Sequence, residues 1–354
     1  MLLEKEAHIA RLLDISENTV AGITIYAAGG GSQSTYLSYR DFHALVRRKA
    51  DQLRLQDGIA PGKIVLIYFP SHLEALTWFW ASVLVGCIPA IFTPLEHKEA
   101  QNLPFKRLNF QLGGTIVITT RDLASSYFSQ SNILEVIAVE DIESLKPAES
   151  SLQTTIDDFS DTIRLKPGTS ANSRFDGATR FANSINKVAV IILTSERNGF
   201  SKVVCLTHSQ IFSSLKGMMA SMPLPFKSSL LNWTALDQFS SIVEIHLYAM
   251  FAELDQVHVP TQEVFDDPLL LLRLLSQHKV SRTFAPRSFL YKLQLSLDRA
   301  STEETQQMNL GGLLYIGSSG EANLEDCARI NDIFARLRGE DREALLCSEI
   351  GKIG

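Results

Sequence analysis

The 354-residue chain lacks a basic excess: 33 Lys and Arg stand against 39 Asp and Glu, a formal charge of -6. Binding a phosphate backbone needs clustered cations, so this balance excludes a nucleic-acid partner. The basic residues are also dispersed, and no run of them reads as a targeting patch. Cysteine is scarce. Cys87, Cys205, Cys327 and Cys347 lie far apart with no C-x-x-C pair. That spacing argues against a zinc site or a disulfide framework, and for reduced, mostly buried thiols in a cytoplasmic protein. The opening MLLEKEAHIARLLD carries Glu4, Glu6 and Asp14 and is not expected to be a secretory leader. The sequon Asn232-Trp233-Thr234 is therefore discounted.

Long apolar runs are nearly absent too. ALTWFWASVLVGCIPAIF (Ala75–Phe92) approaches the shortest membrane span. Gly86 and Pro89 divide it into a helix-sized and a strand-sized piece, and the strand-like KIVLIYF precedes it. Strand–helix–strand in a soluble core is expected, with no membrane partner.

What is present reads as globular, since 45% hydrophobic and 20% charged residues give no sign of disorder. From residue 63 short Ile- and Val-rich runs alternate with helix-length segments. Strands are expected at Lys63–Phe69, Ile88–Phe92, Thr115–Thr119 and Leu134–Val139. Helices are expected at Ser71–Val85, His97–Leu112 and Asp122–Ser129. The alternation stops near Ser144 in a polar stretch rich in Ser, Thr, Asp, Gly and Pro. It resumes with strands at Lys187–Leu193, Leu230–Ala235, Gln256–Val259, Ser281–Ala285 and Gly312–Ile316. Helices follow at Ser209–Ala220, Ser241–Phe251, Asp267–His278, Pro286–Leu297 and Leu324–Leu337. The fold class is α/β, with two consecutive subdomains of mainly parallel sheet packed by helices. The expected division is 1–62, an N-terminal helical or extended region of the first subdomain; 63–144, the first α/β unit; 145–186, a linker or surface excursion; and 187–354, the second unit.

One stretch stands out. VAVIILTSERNGFSKVVCLTHSQI (Val188–Ile211) reads as a buried strand, a polar loop, a lysine and a capped helix. A phosphate loop points backbone N–H groups at an anion, uses glycine for close approach, and adds a lysine for charge. TSERNGFSK offers Thr194, Ser195, Gly199 and Lys202 but does not fit the Walker spacing. On mechanism alone a polar β–α turn is the plainer reading.

The segment nonetheless resembles the phosphate loop of the adenylate-forming (AMP-dependent synthetase and ligase) superfamily, whose usual form is Thr/Ser–Ser–Gly–Ser/Thr–Thr–Gly–x–x–Lys. LLNWTALDQFSSIVEIHLYAMFAELDQVHV is similar to its next motif, where an Asp-His pair follows a strand. DDPLLLLRLLSQHKVSRTFAPRSFLYKL resembles the helix–strand–helix leading to the acyl pocket, and YIGSSGEAN the Ser-Gly-Gly-Glu-Ala stretch against adenine. Upstream, TYLSYRDFHALVRRKADQL and GIAPGKIVLIYF match the family's opening helix and first buried strand. The ordered motifs are most similar to adenylation domains of fungal-type nonribosomal-peptide-synthetase-like proteins.

The resemblance implies the N-terminal core of an enzyme of specialised metabolism. Such an enzyme joins a small carboxylic acid to ATP, with Mg2+, and passes the acyl group to a carrier protein or coenzyme A. It places Thr194, Ser195, Gly199 and Lys202 at phosphates, and Ser319, Gly320, Glu321 and Ala322 at adenine. It places Asp237, Gln238 and Phe239 at the acyl pocket. Lys202 is the sole, weak candidate for a catalytic role, and no metal ligand is assigned.

Three departures qualify this. Glu196, Arg197 and Asn198 replace a glycine and two hydroxyl residues. A carboxylate ~5 Å from a triphosphate costs on the order of 3 kcal/mol per unit charge at an effective dielectric near 20. Asp237-Gln238 stands for Asp-His, so a positive charge is unavailable there. The sequence ends in REALLCSEIGKIG, before the family's Tyr/Phe-Gly-x-Thr-Glu motif, ribose-binding aspartate, hinge and small C-terminal domain with its lysine. The expectation is an adenylation-domain-like protein impaired in the AMP-forming ligase reaction; the alternative is a non-catalytic fragment serving as a binding or scaffold partner, or a relic of a larger synthetase. His43, His72, His97 and His208 show no triad spacing, and His208 is expected to start a helix after Thr207. Asp266-Asp267-Pro268 reads as a helix N-terminus.

Overall fold

A computed structural model describes residues 8–29, 33–92, 114–128, 135–145, 188–195, 201–301, 307–319 and 345–349, with 331, 334 and 337. The strands are β1 Gly22–Tyr26, β2 Ser34–Ser38, β3 Ile64–Ile67, β4 Ile88–Ile91, β5 Ile116–Thr119, β6 Glu135–Ala138 and β7 Val188–Ser195. They continue as β8 Ser201–Thr207, β9 Ser229–Asn232, β10 Asp255–His258, β11 Val280–Phe284, β12 Tyr315–Ser319 and β13 Leu345–Glu349. Two sheets result, a six-stranded one in the order β6-β5-β3-β4-β7-β8 and a seven-stranded one in the order β13-β12-β11-β9-β10-β1-β2. Pairing is parallel except for the hairpins β1–β2 and β7–β8.

Period-two alternation builds the layers. In β3, Val65 and Ile67 join one core while Ile64 and Leu66 join another. In β9, Leu230 joins the first core and Leu231 a third. The first core contains strand residues of both sheets together with Phe42, Trp80, Leu215 and Val243. The sheets thus share a middle layer of helices, and each packs its other face against its own core.

The middle-layer helices show why this works. Tyr39–Arg54 is capped by Ser38, which accepts from the Asp41 N–H, and buries Phe42, Val46, Ala50 and Leu53 at helical spacing. His72–Leu84, capped by Ser71, buries every residue from Ala75 to Val83. A helix apolar all round must be covered all round, which explains the membrane-like run within a folded core. Trp78, Phe79 and Trp80 each contribute about 1.5–3 kcal/mol by burial. Gly86, with φ +81, turns the chain out of this helix towards β4. Among the described residues, no helix is long and apolar enough to cross a membrane.

Sheet membership does not follow the division drawn from sequence. The N-terminal hairpin β1–β2 joins the seven-stranded sheet through parallel pairing of β1 with β10. Gly22 permits the close approach, since a Cβ there would lie 2.4 Å from the Leu37 carbonyl oxygen. Conversely β7 and β8, grouped by sequence with the second unit, complete the six-stranded sheet through β4. Apolar content marks a strand but not its partner, and pairing crosses the sequence boundaries. The expected helix His97–Leu112 lies outside the described residues, as do 146–187 and most of Leu324–Leu337.

Candidate functional site

In an open parallel sheet, loops leave the carboxyl ends of the strands on one edge, where ligands bind. In the seven-stranded sheet β9 ends at Asn232, β11 at Phe284 and β12 at Ser319, with β11 lying between the other two. The loop carrying Asp237, Gln238 and Phe239 and the residue Ser319 therefore meet the same sheet edge. The Ala285 N–H donates to the Gly317 carbonyl (2.8 Å), holding the β11 and β12 ends together. Asp237 and Phe239 are half-buried and Gln238 is exposed. Gly320, Glu321 and Ala322 lie outside the described residues, and for Ser319 only the backbone is described.

The segment Val188–Ile211 corrects one expectation. Between the loop and the helix stands a second strand, β8, antiparallel to β7, with Thr194 opposite Lys202 and Ser195 opposite Ser201. Alternation explains it: Val203 and Cys205 pack towards the outer core, Val204 and Leu206 towards the shared one. The helix begins only at His208, and Thr207 and Gln210 close a capping box on its first turn. Its N-terminus is therefore separated from residues 196–200 by the whole of β8 and is already capped by Thr207. Glu196, Arg197, Asn198 and Gly199 lie outside the described residues, and only the backbone of Thr194, Ser195 and Lys202 is described.

The loop after β9 runs directly into a π-helical segment, Ser240–Leu247, which continues as Tyr248–Phe251. Wide turns of this kind recur at functional sites. Two buried polar networks flank it. In the first, Thr234 Oγ1 donates to Asn232 Oδ1 (3.2 Å), Asn232 Nδ2 donates to the Thr234 carbonyl (3.2 Å), and the Thr234 and Ser241 hydroxyls pair at 2.7 Å.

In the second, Trp80 Nε1–H donates to His246 Nε2 (2.8 Å), which leaves the proton on Nδ1 to donate to Gln256 Oε1 (2.8 Å). His258 Nε2–H donates to the same oxygen at 2.7 Å. Gln256 Nε2 donates to Tyr39 Oη (2.7 Å), whose hydroxyl donates to the Leu254 carbonyl (2.8 Å). Among the described residues His258 Nδ1 has no hydrogen-bond partner, and the His258 and His72 rings meet edge to face with centroids 5.4 Å apart. Burial holds His246 and His72 down at about 4. Burial, then His72 and His246, push His258 well below the ordinary histidine range. These imidazoles are neutral at pH 7 and supply no cation to a phosphate or a carboxylate.

Sequence reasoning missed both networks. The one available signal was the cluster of polar residues in NWT and DQVH at the ends of apolar strands. Other candidates resolve into structural roles. His43 sits between Glu17 (2.8 Å) and Arg47 Nε, which donates to it at 2.8 Å. His208 starts its helix and accepts the Ile9 N–H at 3.2 Å. Asp267 caps the helix Pro268–Gln277. Cys87 is buried and Cys205 half-buried, both free. Among the described residues no group of three or more His, Cys, Asp or Glu could hold a metal.

Comparison with known proteins completes the picture. The profile of the family described as AMP-binding enzyme matches residues 18–338. The chain belongs to this adenylate-forming family. Aspulvinone E synthetase melA of Aspergillus terreus is 34% identical over 305 residues, covering 85% of this chain and 30% of that protein. The nonribosomal peptide synthetase pngA of the same species is 33% identical over 341 residues, covering 96% of this chain and 32% of that protein. The chain thus spans about a third of these relatives' length. Among solved structures, the adenylation domain of a keto acid-selecting module bound to keto acyl adenylate superposes with TM-score 0.73 at 19% identity, over 96% of this chain and 58% of that one. The adenylation and carrier unit of McyG, complexed with phenylalanyl-adenylate, superposes with TM-score 0.78 at 20% identity, over 99% and 51%. At that identity the likeness shows the fold: the N-terminal adenylation core.

Proposed function

We propose that the chain is the larger part of an adenylation domain that activates a small carboxylic acid with ATP. The family match across residues 18–338 carries this reading. In the reaction, a carboxylate oxygen bonds to the α-phosphorus as the bond to pyrophosphate breaks, giving an acyl-adenylate and pyrophosphate. ATP, when bound with Mg2+, supplies the activated phosphorus. The chain's own part is to hold the phosphates with Thr194, Ser195, Gly199 and Lys202, and adenine with Ser319–Ala322. The loop Asp237–Phe239 borders the acid. The acyl group then goes to a carrier-protein or coenzyme A thiol, the first because the McyG neighbour pairs an adenylation with a carrier domain.

The departure at Glu196 weakens ATP binding in this reading, because a carboxylate in the turn repels the triphosphate. The same residue motivates the second reading, a non-catalytic binding or scaffold protein that retains the fold alone. Incubation with ATP, Mg2+ and a panel of 2-keto, 2-amino and aryl acids, with hydroxylamine to trap acyl-adenylate, separates the two. The panel follows the keto acyl and phenylalanyl adenylates of the structural neighbours. A hydroxamate from one acid class supports activation. No hydroxamate, with no ATP-induced thermal stabilisation, favours the non-catalytic protein.

A further inference from the structure

The π-helical segment Ser240–Leu247 begins without a side-chain cap: Phe239 stands at its cap position and makes none. What fixes its start is the Ser241 hydroxyl, paired at 2.7 Å with the Thr234 hydroxyl seven residues earlier. That pair closes the intervening loop into a noose with Asp237, Gln238 and Phe239 at its tip. The knot is fully buried, with Asn232 at 1%, Thr234 at 3% and Ser241 at 0% exposure, whereas the tip reaches the surface. Each hydroxyl has a defined direction. Thr234 donates to Asn232 Oδ1, so Ser241 must donate to Thr234. Thr261 Oγ1 donates to the Trp233 carbonyl (2.8 Å) and pins the strand end behind the knot. Inside the noose the Gln238 N–H donates to the Ala235 carbonyl (3.3 Å) and the Ile242 N–H to the Gln238 carbonyl (3.1 Å).

The geometry points to Thr234 and Ser241 as positioning residues that set where the acid-facing tip of this loop stands. The inference rests on the adenylation reading for the word acid, and on the structure alone for the knot. A hydroxyl pair is suited to the task because it fixes one distance and one direction, which apolar packing does not. A shift of the tip by about 1 Å is enough to cost about 100-fold in a positioned reaction.

The test uses the full chain carrying Thr234→Val, nearly isosteric without the hydroxyl, and Thr234→Ser, which keeps it. Amide hydrogen exchange across 235–239 is expected to speed up at least about tenfold in the valine variant and to stay near wild type in the serine variant. Unchanged exchange in Thr234→Val overturns the knot, whatever the enzyme does. In pyrophosphate exchange, the KM for the acid is expected to rise at least about tenfold with the KM for ATP nearly constant. Equal rises in both, or no rise for the acid, overturn the positioning role. Absence of pyrophosphate exchange in the wild-type protein sinks the adenylation reading, and the amide rates still decide the knot. Should Thr234→Val not fold, Ser241→Ala removes the donor and is read the same way.

Discussion

Two polar networks lie on the same face of the seven-stranded sheet, in adjoining strands, for His258 and Asn232 are register partners. They differ in what they join. The imidazole network ties Trp80, His246, Gln256, His258 and Tyr39, which come from three helical segments and a strand of the shared core. It joins three helical segments of the middle layer to β10 of the seven-stranded sheet. The hydroxyl network ties Asn232, Thr234 and Ser241, all within ten residues of sequence, and holds only a loop. Losing the first endangers the fold, whereas losing the second displaces a loop in a protein that remains folded.

The largest effect that would sharpen this contrast is expected from Gln256→Leu. It leaves the His246 Nδ1–H and the His258 Nε2–H without their acceptor in the core. Each orphaned donor costs about 1–3 kcal/mol, so a loss of about 3–5 kcal/mol is expected in urea unfolding. Acid comes next. His246 is fully buried, with its folded-state value lowered from 6.5 to about 4. Its unfolded form therefore binds more protons between those values, and stability falls as pH falls through that window. The full shift corresponds to about 3 kcal/mol, present above pH 6.5 and gone near pH 4. Unfolding midpoints at pH 7 and pH 4.5 should show the drop, and a flat profile would break the assignment of a neutral His246. Trp80→Phe, which removes the donor to His246 Nε2 and leaves part of the buried indole's volume empty, should cost about 2 kcal/mol. Thr234→Val should be the mildest in stability, about 1 kcal/mol by calorimetry. If it proved as damaging as Gln256→Leu, the contrast would fail.

Much of this architecture was legible before the coordinates. β3 to β7, β10 and β11 fall on the expected runs within a residue or two, while β9 ends three residues short of its expected Ala235; β3 to β5 are the clearest, because a strand covered on both faces is continuously apolar. The misses have separate physical causes. β1 is only partly buried and β2 runs exposed to half-buried, so GITIY and STYLS are not continuously apolar. β8 was absorbed into the loop and helix because its alternating apolar residues follow a polar turn without a break. The expected strand Gly312–Ile316 overlaps β12 only at Tyr315 and Ile316, the strand starting at Tyr315. β13 was not foreseen, since Leu345–Glu349 stands in a segment with no further signal.

At the site, the motifs fall at or just after the carboxyl ends of β9 and β12, which puts Asp237 and Ser319 at one edge of the seven-stranded sheet. The buried networks were not legible, because Gln256, His246 and Trp80 are far apart in sequence and meet only through packing. The π-helical turn was hidden as well, since its apolar pattern reads like that of an α-helix. Of the residues that depart from the family's pattern, Glu196 is the one that adds a negative charge. Glu196→Gly should tighten ATP binding by about tenfold or more in titration calorimetry, if the carboxylate faces the triphosphate.

The most direct measurement is ATP-dependent pyrophosphate exchange by the wild-type chain and Lys202→Ala, across the acid panel. The account expects turnover above background with at least one acid and its loss in the alanine variant. Turnover that survives Lys202→Ala unchanged, or a folded wild-type protein inert with every acid, would contradict it.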